Sequence, residues 1–342
     1  MSISTSEKGK DARPSVGQVD GGVSPGDMGD GAEKVAVLLL AHGSPDSVED
    51  VPEFLLQITR GRPLTTEVVE EVTHRYGLIG RSPLTELTLT QGKLLSTETG
   101  LPVYVGMRNW KPFVASALKQ MEAGGVDRAI AICLAPQNSR TSVGLYRSSL
   151  SVGGDPPFEI DFVESWHDHP SLIKAFAEKL QVGLSMAEKE KGIRPPVIFT
   201  AHSVPQRTIT DGDPYEMQAK ETAALVAKEL ALANGDWRFA FQSQGMSGGP
   251  WLGPTVEDTI LSLKSEGAKG VFIQPIGFLC DHVEVLYDID IAFQKFAENE
   301  GLWLKRAESL NDSALLTGAL GNIVRSRLQS VRGVALPAGA KS

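Results

Sequence analysis

Two short phrases constrain this 342-residue chain more than any other feature. VAVLLLAHGSP occupies residues 35–45 and VIFTAHSVP occupies 197–205. In each, a run of strand-forming aliphatics meets Ala-His and then a small, turn-prone tail ending in proline. One such phrase would mean little, but two imply a chain built from two similar halves. An apolar run without polar alternation reads as a strand covered on both faces, which is the habit of parallel sheets.

The intervening sequence agrees. Further apolar runs fall at 102–107, 129–136 and 162–166 in the first half. Between the first two of these, PFVASALKQMEAGG (112–125) has helical spacing and stops at Gly-Gly. The second half repeats the scheme, with strands expected at 237–243 and 270–278. Its helices are expected at 216–235, closed by Asn-Gly, and at 253–267, with Val256, Ile260 and Leu263 on one face. Strands alternating with amphipathic helices predict an α/β protein of two Rossmann-like, doubly wound domains. Each is expected to hold a parallel four-stranded sheet, with a cleft between them. The expected domains are 33–165 and 166–333. Residues 1–32, rich in Gly, Ser and Asp, lack the apolar centre of a signal peptide; they and 334–342 are expected to be disordered tails.

In such folds ligands gather beyond the carboxyl ends of the strands. Those ends carry His42, Asn138, His202, Ser243, Asp281, His282 and Glu284. No glycine-rich phosphate loop follows any strand, so a nucleotide cofactor is not indicated. A net charge of -9 argues against nucleic acid as the main partner. No apolar stretch approaches the roughly 20 residues that span a bilayer, so an integral membrane protein is not expected. The two cysteines, Cys133 and Cys280, are too few for a four-thiolate metal site and imply a reducing, cytoplasmic setting.

Six histidines remain to be assigned. His74 sits among charged residues and reads as surface. His167 and His169 in WHDHP have metal-ligand spacing, but a loop turn with Asp168 and Pro170 explains them as well. FLCDHVEVLYDIDIAF (278–293) is richer. Leu286, Ile289, Phe293 and Phe296 keep helical spacing, so a helix starts near His282 or Glu284 and sets Glu284 and Asp288 one turn apart. Acids in a first turn also have a bland explanation, in the helix dipole. That does not account for Asp-His-x-Glu directly after a strand. His202 and Glu284 end two strands of the same half and can face one cleft. An imidazole beside a carboxylate can move protons and handle a divalent metal in transit.

At these residues the chain resembles the ferrochelatases, enzymes that insert ferrous iron into a porphyrin in haem synthesis. The resemblance covers roughly residues 35–328. It rests on TAHSVP (200–205), GDPY (212–215), FQSQG (241–245), PWLGP (250–254) and GFLCDHVEVLYDID (277–290), in that order. It implies a chelatase-like fold, with His202 and Glu284 as the catalytic and iron-binding pair and His282 and Asp288 as accessory groups. The segment 59–84, TRGRPLTTEVVEEVTHRYGLIGRSPL, is short and polar and resembles the soluble, coproporphyrin III type rather than enzymes with a long apolar lip. On that resemblance Arg75, Tyr76, Ser82 and Tyr146 contact the porphyrin, with Arg62 near the extra carboxylates. An arginine of that type falls on Thr59 here, beside Arg60. His42 takes a position where such relatives carry a tyrosine that ligates the product iron; a packing role is the alternative. Asn109 replaces a histidine of some relatives. Trp251 and Trp110 are expected to grip the macrocycle. Iron is substrate, no cofactor is required, and an iron–sulfur cluster is not expected. Expected partners are porphyrin and ferrous iron, with a haem-pathway enzyme or haem acceptor left open. Two rival readings are a cobalt chelatase acting on another tetrapyrrole and a non-catalytic porphyrin or haem carrier.

Overall fold

The computed structural model describes residues 33–245 and 249–331. The expected tails at 1–32 and 334–342 lie outside the described residues. From Glu33 onward the chain forms one compact unit containing two four-stranded parallel sheets.

The first sheet has the order β2-β1-β3-β4, where β1 is Val35–Ala41, β2 Val103–Met107, β3 Arg128–Cys133 and β4 Glu159–Val163. Leu39 of β1 pairs in register with Val105 on one side and Ile132 on the other. The second sheet repeats the order as β6-β5-β7-β8, with β5 Val197–His202, β6 Trp237–Gln242, β7 Gly270–Pro275 and β8 Trp303–Arg306. The two repeated phrases therefore form the equivalent central strands β1 and β5. Every residue from Ala36 to Leu40 is fully buried because both faces of β1 are covered. Leu38 and Leu40 pack with Val114, Met121 and Tyr146. Val37 and Leu39 face Leu95, Trp166 and Phe176, in a cluster that continues into the second half through Phe199 and Phe272. Truncating such a leucine to alanine costs about 2–5 kcal/mol.

The expected helices form at Val114–Ala123, Tyr215–Glu229 and Val256–Ser265. Thr255 caps the last by accepting a hydrogen bond from the Asp258 N–H at 3.0 Å. Two expectations shift. The strand expected at 162–166 is Glu159–Val163, and Trp166 instead fills the core, donating its indole N–H to the Cys133 carbonyl at 2.9 Å. The helix expected from 282 is broken into Val283–Leu286, a π-helical stretch Asp288–Phe293, and Gln294–Asn299. The final helix, Ala314–Val331, packs on Leu84–Thr99 of the first half as well as on Pro170–Lys191.

In both sheets the strand order reverses beside the central strand, between β1 and β3 and between β5 and β7. Such reversals open a crevice at the carboxyl ends of the strands. His42 directly follows β1, His202 ends β5, and Glu284 follows β7 by a short loop.

Candidate active site

The loop after β1 is set by Gly43. Its φ of +86° suits glycine, and a Cβ there would come within 2.9 Å of Trp110. The Arg108 and Asn109 N–H groups donate to the Ala41 and His42 carbonyls, each at 3.0 Å, and tie this loop to the end of β2. The His42 Nδ1 lies 3.0 Å from the Gly43 carbonyl, a contact suited to Nδ1–H donation, which leaves Nε2 as the free ring nitrogen. Burial, then the Arg108 guanidinium, lower the His42 pKa to about 4. The ring is exposed to the open cleft, so that lowering is complete only when a ligand displaces the water.

Across the cleft, the His202 Nδ1 contacts the Ser203 carbonyl, and Tyr215 donates its hydroxyl to the His202 carbonyl at 2.9 Å. His202 Nε2 lies 3.5 Å from Glu284 Oε1, and His282 Nε2 lies 3.6 Å from Glu284 Oε2. Glu284 is thus held between two imidazoles. His282 is oriented in turn by its Nδ1 contact with the Cys280 carbonyl at 2.9 Å and by the Phe278 ring at 4.6 Å. Burial alone would lower the His202 pKa, but the Glu284 carboxylate, the Ser203 carbonyl and Asp288 outweigh it and raise it to about 9. Burial pushes the Glu284 carboxyl up, and His202 and His282 reverse that and hold it well below the usual range. The two shifts run together: the carboxylate favours the imidazolium form of His202, and the imidazoles favour the ionised form of Glu284. Asp288 behaves differently. Burial raises its pKa to about 6 despite a hydrogen bond from the Ser243 hydroxyl.

The segment bearing these groups is clamped at both ends. Arg306 makes two hydrogen bonds to Asp290, at 2.7 and 2.9 Å, and reaches Asp281 at 3.2 Å. Asp281 also accepts from Ser309 at 2.7 Å and from the Asn311 side chain at 2.9 Å. Asp281 thus serves the loop rather than the cleft.

Two chambers, of about 350 and 280 Å³, share His42, Leu84, His202, His282 and Glu284 as walls. The larger adds Arg108, Tyr146, Tyr215, Trp251 and Phe278; the smaller adds Arg75, Tyr76, Ser243 and Asp288. Most of the expected residues are thus brought together. Three sit elsewhere: Ser82 is buried, with its hydroxyl 3.5 Å from the Leu84 N–H, and lines neither chamber. Arg62 is exposed and turned back to the Thr59 carbonyl at 3.3 Å. Trp110 does not grip a ligand: it is buried against Phe54, with its indole N–H on Asp46 at 3.0 Å. Asn109 is likewise buried outside both chambers. Arg75 lines the smaller chamber but is engaged by Glu71 at 2.9 Å, by Asp288 at 3.9 Å and by the Tyr287 ring.

The WHDHP histidines are structural. His167 joins Ser165 and Glu221 at 2.8 and 2.9 Å, and His169 caps helix Pro170–Lys191. His74 is exposed, as expected. Among the described residues, no three His, Cys, Asp or Glu side chains converge on a metal-sized site. The residue that sequence reasoning missed is Arg108. Its only signal was its place directly after a strand.

A sequence model of the ferrochelatase family matches residues 34–328. The chain is 52% identical over 324 residues to a ferrochelatase of Acidobacterium capsulatum, covering 91% of this chain and 99% of that one. It is 35% identical to a coproporphyrin III ferrochelatase of a Geobacillus strain, covering 87% and 99%. Among solved structures, SirB from Bacillus subtilis with Fe3+ superposes with a TM-score of 0.55 at 12% identity, covering 88% of this chain and 98% of that one. That likeness shows the fold.

Proposed function

The chain belongs to the ferrochelatase family, enzymes that insert a metal into a porphyrin, and we propose that it inserts ferrous iron into coproporphyrin III in preference to protoporphyrin IX. The observation that carries this reading is the His202–Glu284 pair at 3.5 Å, opening onto a cleft with apolar and aromatic walls. A porphyrin resists metallation because its pyrrole N–H protons block the centre. Trp251, Phe278, Leu84 and Val204 offer the macrocycle a partly apolar slot. Holding the ring in a bent shape there would expose nitrogen lone pairs to one side and favour the transition state over the ground state. With Glu284 favouring its protonated form, His202 accepts a pyrrole proton only after losing its own. Fe(II) arriving at Glu284 supplies the reason for that loss, because the cation cancels the negative charge that keeps the imidazolium protonated. His282 and Asp288 flank this route.

The substrate preference rests on the polar segment 59–84 and on the basic and phenolic groups Arg75, Tyr76 and Tyr146 at the cleft. His42, which lines both chambers with His202 and whose Nε2 has no hydrogen-bond partner among the described residues, is suited to ligate the product iron. The enzyme needs no further cofactor in this scheme. Its two cysteines are buried free thiols, Cys133 at the end of β3 and Cys280 in the segment after β7, too few for an iron–sulfur cluster and suited to a reducing cytoplasm. No described helix is long and apolar enough to cross a membrane. A haem-pathway enzyme or haem acceptor would receive the product. The test is anaerobic mixing of protein, porphyrin and Fe(II), followed by absorption spectroscopy. Turnover beyond one equivalent excludes a carrier, Co(II) in place of Fe(II) separates the chelatases, and equal kcat/KM for the two porphyrins would overturn the preference.

A further inference from the structure

Two arginines line the chambers, Arg108 in the larger and Arg75 in the smaller. Arg75 faces Glu71 and Asp288 within 4 Å. Among the described residues no carboxylate does so for Arg108, although it lines the larger chamber. Its Nε is a buried donor with no acceptor, and its guanidinium lies 5.6 Å above the ring of Tyr146, itself buried. The chamber around them is lined by the small hydroxyl residues Ser139, Thr141 and Ser142 and by apolar Leu134 and Ala135. A guanidinium desolvated without a counter-ion costs free energy, and a ligand carboxylate that completes its hydrogen bonds recovers that cost.

We propose that Arg108, stacked on the Tyr146 that the family resemblance already places at the porphyrin, is the anion subsite for one peripheral carboxylate of the tetrapyrrole. The inference rests on the porphyrin-binding reading of the cleft. The subsite fixes the rotation of the macrocycle in its own plane, because a carboxylate anchored there determines which edge of the ring lies innermost. Arg75 is already shared between Glu71 and Asp288, so Arg108 is the stronger electrostatic anchor for an anionic ligand.

Metal-free coproporphyrin III, and the same porphyrin with its carboxyls converted to amides, are titrated against wild type, Arg108→Gln, Arg108→Lys and Tyr146→Phe by fluorescence quenching. The expected result is a loss of about 10- to 100-fold in affinity for the acid in Arg108→Gln. The amide should lose less than about 3-fold, since it has no charge for the guanidinium to pair with. Arg108→Lys, which keeps the charge but not the fork, should fall between. Acetate or phosphate should compete with the acid in wild type and not in Arg108→Gln. Equal losses for acid and amide, or unchanged acid affinity in Arg108→Gln or Arg108→Lys with wild-type melting behaviour, would overturn the subsite. So would acetate or phosphate binding at Arg108 that leaves porphyrin affinity untouched. Failure of the wild type to insert metal would overturn the proposed reaction and not the subsite, because these titrations need no turnover.

Discussion

Replacing Glu284 by glutamine isolates the electrostatics of the proton-handling pair. Burial lowers the His202 pKa, and the Glu284 carboxylate is the largest influence lifting it to about 9 from an ordinary 6.5. Glutamine keeps the shape and removes the charge, so the largest part of the lift is lost; burial then outweighs what the Ser203 carbonyl and Asp288 still supply, and His202 should titrate at or below 6.5. A divalent cation binds only the neutral imidazole. The affinity of wild type for a redox-inert probe such as Zn(II) should therefore climb about tenfold per pH unit until about pH 9, with a proton released per ion. In the variant the climb should end near or below pH 6.5, at a lower affinity because a ligand is gone. Stability follows the same sign. A pKa raised in the folded state contributes fully below 6.5 and is lost as pH rises through about 9, so wild type should lose more Tm than the variant from neutral to alkaline pH. The two side chains are 36% and 32% exposed, and water screens the pair, which keeps the difference to about 1 kcal/mol or less. The assay is nitrogen-detected NMR titration of the imidazoles with calorimetric zinc binding across pH. A His202 that titrates near 6.5 in both proteins would refute the reasoning.

Four further outcomes are expected. His202→Ala should lower the insertion rate by about 10²- to 10⁴-fold while porphyrin affinity, read by fluorescence, changes little; near-normal turnover would remove the proton-acceptor role. His42→Ala should retain insertion but alter the absorption and resonance Raman spectra of the ferric product complex, and identical spectra would mean that His42 only packs. Arg306→Ala leaves Asp281 and Asp290 without their cation and should cost about 1.5–3 kcal/mol in urea denaturation, since Asp290 is partly solvated and Asp281 keeps Ser309 and Asn311; a loss under about 1 kcal/mol would show the clamp to be idle. Gly43→Ala forces a side chain into positive φ, 2.9 Å from Trp110, and should lower stability by about 1–3 kcal/mol; an unchanged Tm would show that the loop yields freely.

The halves and their central strands were legible because β1 and β5 are buried on both faces, which leaves an unbroken apolar run in the sequence. β8 was not legible: of Trp303–Arg306 only Leu304 is buried, and an edge strand of four residues leaves no periodic trace. Helix Thr66–Ile79 buries only Tyr76, so its signal was equally faint. His202, Glu284 and His42 could be found from their places at strand ends. Arg108 also follows a strand directly, but what sets it apart is that no carboxylate among the described residues pairs with it, a property of the folded surroundings. The most instructive case is the segment after His282. Helical spacing suggested Leu286, Ile289, Phe293 and Phe296 as the buried row, but the buried residues are Val285, Ile289, Phe293 and Ala297. A strict interval of four walks about 40° further round a regular α-helix at each step. The chain keeps the row inward by opening into a π-helical stretch at Asp288–Phe293, whose wider turn absorbs the extra angle. Glu284 and Asp288 are separated by the same interval, and both line the smaller chamber. The sequence therefore did contain the signal for the widened turn, in the repeated interval of four. It becomes readable only once the buried row is known, because Leu286 and Phe296 offer an equally apolar row at ordinary helical spacing.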